Sequence, residues 1–73
     1  MNIQWKMNGE IFTGENSGYK ATIILGAALG SPYWEIVNNG SVIDTCYRHS
    51  PTTDELSAKV QVERIIDNLL KHN

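Results

Sequence analysis

Trp34-Glu35-Ile36-Val37-Asn38-Asn39-Gly40-Ser41-Val42-Ile43-Asp44-Thr45-Cys46-Tyr47 is the stretch whose reading decides the fold. Apolar and polar residues alternate on both sides of Asn39-Gly40, a pair that readily adopts the two positive φ angles of a type I′ turn. The stretch therefore reads as a β-hairpin, with strands over 33–38 and 41–47. A two-residue turn sets Val37 opposite Val42, Ile36 opposite Ile43, Glu35 opposite Asp44 and Trp34 opposite Thr45. Trp34, Ile36, Ile43, Thr45 and Tyr47 then share one face. Tyr33, Glu35, Val37, Val42, Asp44 and Cys46 share the other. The first face is expected in the core, because the second carries both carboxylates. A slip of one residue would reverse that assignment.

Upstream of the hairpin the period of two recurs. Tyr19, Ala21, Ile23 and Leu25 alternate with Lys20, Thr22 and Ile24, so a strand is expected over 19–25. Ile3, Trp5 and Met7 alternate with Asn2, Gln4 and Lys6, giving a strand over 2–7. Asn8-Gly9 supplies a turn, and 10–13 reads as the return strand, either paired in the sheet or extending a loop. Residues 14–18, rich in turn formers, read as a loop. Gly26-Ala27-Ala28-Leu29-Gly30-Ser31-Pro32 connects two strands. Leu29 within it either tucks into the core or waits for a partner.

Downstream, residues 53–71 read as an amphipathic helix. Ala58, Val62, Ile65, Ile66 and Leu69 fall on one stripe at about 100° per residue, and Leu56 and Val60 lie nearly opposite. Thr52 with Glu55 three residues later predicts a capping box. The whole chain is then expected to be one α+β domain: an antiparallel meander of four to five strands with one C-terminal helix packed on one face.

Composition narrows the function classes. A chain of 73 residues buries only about 60% of its unfolded surface, so small domains often lean on disulfides, metals or self-association. The single cysteine, Cys46, excludes an internal disulfide, and no histidine–cysteine cluster has metal-ligand spacing. No cofactor is expected. Charged residues are 19% of the chain, below the roughly 25% usual for globular domains, which leaves neutral surface for contacts and favours a protein partner or a homodimer. The net charge is −2, whereas nucleic-acid binding replaces phosphate counterions with basic side chains. Lys6, Lys20, Lys59, Arg64, Lys71 and Arg48 are scattered singly. The longest apolar run, 21–30, is broken by Thr22 and two glycines and has about half the length of a membrane-spanning helix. A lone cysteine and no secretory signal make a cytoplasmic location the expectation.

Candidate chemistry is sparse. Cys46 and His49 are the only thiol and a nearby imidazole. On a strand, residues three apart point to opposite faces, so they meet only if the strand ends near Tyr47. Asp44, Cys46, His49 and His72 would make a metal site only if the fold gathered all four. Gly26 and Gly30 do not match a phosphate loop, which needs four residues between its glycines and a following lysine. Glu35 and Asp44, expected opposite one another, would repel; a chain that keeps them has an acidic face suited to a basic partner surface. Glu35, Asp44, Leu29, Leu56 and Val60 are therefore the candidate binding residues. Trp5 and Trp34 are candidates for base stacking, but both lie in the apolar alternation of their strands. Single-stranded-DNA-binding coactivators of β-β-β-β-α order offer an architectural precedent without the basic strands.

Over its whole length the chain resembles small accessory proteins of phages and prophages. The shared features are compact length, short strands joined by Asn-Gly turns and a closing helix. The resemblance implies action by binding a host protein, as inhibitors of restriction or CRISPR defence do. It carries no motif that assigns a role to a residue. A non-enzymatic interaction module is the leading expectation. Single-stranded nucleic-acid binding through Lys6, Lys20 and Arg48, and a thiol-dependent enzyme at Cys46, are the alternatives.

Overall fold

A computed structural model describes residues 3–26 and 32–72. Five strands form one antiparallel sheet in sequence order: β1 (Lys6–Asn8), β2 (Ile11–Asn16), β3 (Tyr19–Ile24), β4 (Tyr33–Asn38) and β5 (Ser41–Thr45). A 3-10 turn (Cys46–Arg48) leads to the helix α1 (Glu55–Lys71), which packs against β3 and β4. This is the α+β meander with one covering helix. Leu29 lies outside the described residues.

The hairpin turn forms at Asn39-Gly40, with φ of 53° and 78°, both in the left-handed region that a type I′ turn requires. Trp34 and Ile36 of β4, Ala21 and Ile23 of β3, and Phe12 of β2 are buried. They meet Ala58, Val62 and Ile66 of α1, all fully buried, with Ile65 and Leu69 at the margin. The helix stripe thus meets the sheet on the face the alternation assigns to the core.

Four local features depart from the sequence reading. First, β5 carries a bulge: Val37 pairs Val42, but Ile36 pairs Asp44 and Glu35 pairs Thr45. Ile43 is the extra residue, and it packs against the core. Beyond it every side chain of β5 changes face. Asp44 therefore shares a face with Ile36, and Thr45 shares one with Glu35. The expected Glu35–Asp44 juxtaposition does not occur, because the bulge relieves the repulsion that a simple register would impose.

Second, the strand ends at Thr45, whose hydroxyl accepts the Tyr47 amide. Tyr47 is then turned out, at 68% exposure, instead of entering the core. Third, β2 runs through Gly14-Glu15-Asn16, which read as loop, and turns at Ser17-Gly18. Gly14 sits in the strand because Ile3 and Trp5 cross over it; a Cβ there would overlap Ile3 Cγ2 and come within 3.2 Å of Trp5 Cε3. For the same reason β1 is short. Ile3 and Trp5 leave the sheet to reach α1, where Glu63 Oε2 accepts the Trp5 Nε1–H at 2.9 Å.

Fourth, the helix N-cap is Asp54, not Thr52. Asp54 Oδ1 accepts the Ser57 amide at 2.8 Å, and Ser57 Oγ accepts the Asp54 amide at 3.1 Å. Thr52 is buried ahead of the helix, so its side chain is not at the helix end. Glu55 becomes the first helical residue and pairs with Lys59 at 2.7 Å.

Candidate functional site

A two-layer domain has two outer surfaces, and apolar side chains stand on both. The first is the sheet face opposite α1. Strand register places its side chains in three rows. Asn8, Ile11, Ile24 and Tyr33 form one. Lys6, Thr13, Thr22, Glu35 and Thr45 form the middle one, and Glu15, Lys20, Val37 and Val42 the third. Among the described residues no element covers these rows. Ile11 is 41% and Val42 53% exposed. Tyr47 extends the first row, its ring 5.6 Å from that of Tyr33 and tilted by 53°.

Glu35 is the acid on this face that a tyrosine holds in place. The Tyr33 hydroxyl donates to Glu35 Oε1 at 3.0 Å. Desolvation first, then that hydrogen bond and the carboxylate's charge, raise the Tyr33 phenol above its ordinary value. The phenol therefore stays a neutral donor at physiological pH. Lys6 and Lys20 lie on the same face but are interleaved with Glu15 and Glu35, and Glu15 pairs directly across from Lys20. The face has no net charge.

Asp44 stands elsewhere, at the corner where β5 enters the 3-10 turn. Its Oδ1 accepts the Thr45 amide at 2.9 Å, and its Oδ2 lies 2.9 Å from His49 Nε2. The His49 ring packs on Trp34 at 5.4 Å between centroids. Arg48 Nη1 donates to the Ile43 carbonyl at 3.2 Å. Both oxygens of Asp44 are thus engaged within the chain, so the residue fastens the corner rather than facing a partner. Cys46, half-buried against the core, begins the turn. The fold pairs His49 with Asp44. Among the described residues no group of three or more His, Cys, Asp or Glu side chains is placed to hold a metal ion.

The second outer surface belongs to α1. Leu56 is 69% and Val60 46% exposed, one helical turn apart, as the helical period expects. Beside them lies a groove of about 550 Å³, walled by Ser50–Asp54, Ser57, Gln61 and Arg64. Lys59 and Lys71 are paired with Glu55 and Asp67, whereas no ion pair within 4 Å engages Arg64 among the described residues. Thr52 also lines the groove, and its buried hydroxyl has no hydrogen-bond partner there.

The aromatic candidates for base stacking are committed to the core side. Trp34 is fully buried, and Trp5 is half-buried with its indole N–H on Glu63. Of the candidate binding residues, Glu35, Leu56 and Val60 face outward and Asp44 does not. Ile11, Ile24 and Tyr47 are the surface residues that sequence reasoning left out. The first two were legible in the alternation of their strands; Tyr47 was not, because its placement depends on the bulge.

No family model matches the chain, and no curated protein or solved structure matches it. No described helix is long and apolar enough to cross a membrane.

Proposed function

We propose that this protein is a non-enzymatic interaction module that acts by occupying the surface of another protein, in the manner of a small accessory or inhibitor protein. One observation carries the reading: apolar side chains stand uncovered on both outer surfaces of a two-layer domain. Scattered single apolar residues are ordinary, but Ile11, Ile24 and Tyr33, adjacent in one row, and Val37 and Val42, adjacent in another, form patches of the kind that marks interaction sites. The half-buried free thiol of Cys46 fits a reducing, cytoplasmic setting.

The nucleic-acid reading has less support. Its lysines are matched one for one by glutamates on the same face, and its tryptophans are turned away from it. The thiol-enzyme reading has less support, because among the described residues no hydrogen bond joins the Cys46 thiol to His49, whose Nε2 lies 2.9 Å from Asp44 Oδ2.

The test is capture from host lysate on the immobilised protein, with and without nuclease, repeated with Leu56→Arg. A stoichiometric protein that survives nuclease and is lost with Leu56→Arg supports the module and maps its contact to α1. Recovery that vanishes with nuclease refutes it in favour of nucleic acid.

A further inference from the structure

We infer that the open sheet face is occupied by a second copy of this chain, in a two-fold, sheet-on-sheet dimer that leaves Leu56, Val60 and Arg64 of each protomer displayed for other partners. The inference deepens the interaction-module reading by assigning the two outer surfaces different tasks.

The edges of the sheet are poor places to associate. β1 is three residues long, and β5 is bent by its bulge. Both are devices that discourage strand addition at an edge. The face has no such defence. Eight of the thirteen residues in its three rows are Ile, Val, Thr or Tyr, the side chains that suit a pleated, half-buried surface; Ile11 and Val42 among them are exposed, as are Lys6, Asn8, Glu15 and Lys20.

Charge selects the occupant. A two-fold interface sets a patch against its own copy, so a strongly acidic or basic face repels itself. This face carries Lys6 and Lys20 against Glu15 and Glu35, a balance of zero. A basic partner or a nucleic acid would be met by a face of opposite net sign, which this one does not present.

Size permits it. Five strands about 4.8 Å apart, three to six residues long at about 3.4 Å each, make a face at most about 20 Å square in plan. Side-chain relief adds to that plan of about 400 Å², which puts the contact at or below the roughly 800 Å² per partner of a standard interface. Two such sheets stack about 10 Å apart with their strands near −30°. The dimer also supplies the staple that a short chain with one cysteine lacks.

The experiment is sedimentation equilibrium on the wild type, Val42→Arg and Leu56→Arg, with circular dichroism to confirm folding. Both positions are exposed, so each arginine reaches water in a monomer. The expected result is a wild-type dimer, weakened at least about tenfold by Val42→Arg, which would bury an unpaired guanidinium, and unchanged by Leu56→Arg. Spin labels provide the second readout in a Cys46→Ser background. Labels at Thr22→Cys, central on the face, fall within about 20 Å of each other, while labels at Leu56→Cys lie beyond about 30 Å. A monomer at every accessible concentration, a dimer abolished by Leu56→Arg instead, or the reverse order of label distances overturns the inference. A monomer that still captures a protein from lysate sinks the dimer alone; a dimer that captures nothing sinks the accessory reading alone.

Discussion

Two residues show how single side chains hold this fold. Glu63 is the acceptor that draws the N-terminal segment onto the helix, through the Trp5 indole at 2.9 Å and the Ile3 amide at 3.4 Å. Glu63→Ala strands both donors, at a cost of about 1–3 kcal/mol out of a total on the order of 4–11 kcal/mol for a chain of this size. Urea titration followed by tryptophan fluorescence checks it, and Glu63→Gln, which keeps an acceptor, is expected to lose less. Asp54 holds the helix start, and its bonds to the Ser57 amide and hydroxyl lower its carboxyl below the usual value. A depressed acid stabilises the fold above its unfolded pKa of about 3.9. That stability is lost as pH falls through the lower folded value. Asn caps a helix about as well as Asp. Asp54→Asn is therefore expected to melt near the wild type at pH 7 and to lose this part of the acid dependence, whereas Asp54→Ala melts lower at neutral pH. Equal acid profiles for wild type and Asp54→Asn would remove the cap from the account of acid stability. The Asp54 cap was within reach of sequence reasoning, since Asp54 and Ser57 have the same spacing as Thr52 and Glu55. Only the burial of Thr52 decides between the two boxes.

At the scale of elements, β2 and β5 carry the lessons. β2 contains a glycine that read as a loop signal, because a strand interior rarely keeps one. Its reason is a third layer of contact: Ile3 and Trp5 lie over it, and only a residue without Cβ admits them. Gly14→Ala is expected to cost about 1–3 kcal/mol through overpacking. The readout is a lower urea midpoint with an unchanged slope, and an undiminished midpoint would mean that the 3–5 segment repacks freely. In β5 the hairpin turn was legible to the residue, since Asn39-Gly40 has one favoured geometry. The bulge at Ile43, three residues beyond it, was not. It moves Asp44 off the open face and sends Tyr47 outward, and so it decided which half of the supposed acidic pair faces solvent. The corner it creates, with Asp44 bridging the Thr45 amide and His49, gives a local reason for an aspartate at this point in a strand.

At the scale of the whole molecule, the sheet has one face closed by α1 and, among the described residues, one open face. Its helix closes the side where Trp34, Ile23 and Ile36 lie, and the other side has rows of Ile, Thr and Val with balanced charge. The sequence by itself determined the element order, the hairpin turn, the helix and its buried stripe. Those follow from periods of two and 3.6 and from turn chemistry, which act over a few residues. Only the tertiary structure decided that Glu35 and Asp44 part company, that Gly14 belongs in a strand, that Asp54 caps the helix, and that Ile11 of β2 and Ile24 of β3 line up with Tyr33 of β4 on the open face. Each of these depends on residues distant in sequence meeting in space: the 3–5 segment with β2 and α1, the entry to the helix with the core, and β2 with β4 across one sheet. Local pattern fixes which side chains point the same way along a strand; the register between strands, with its one extra residue, determines which of them meet.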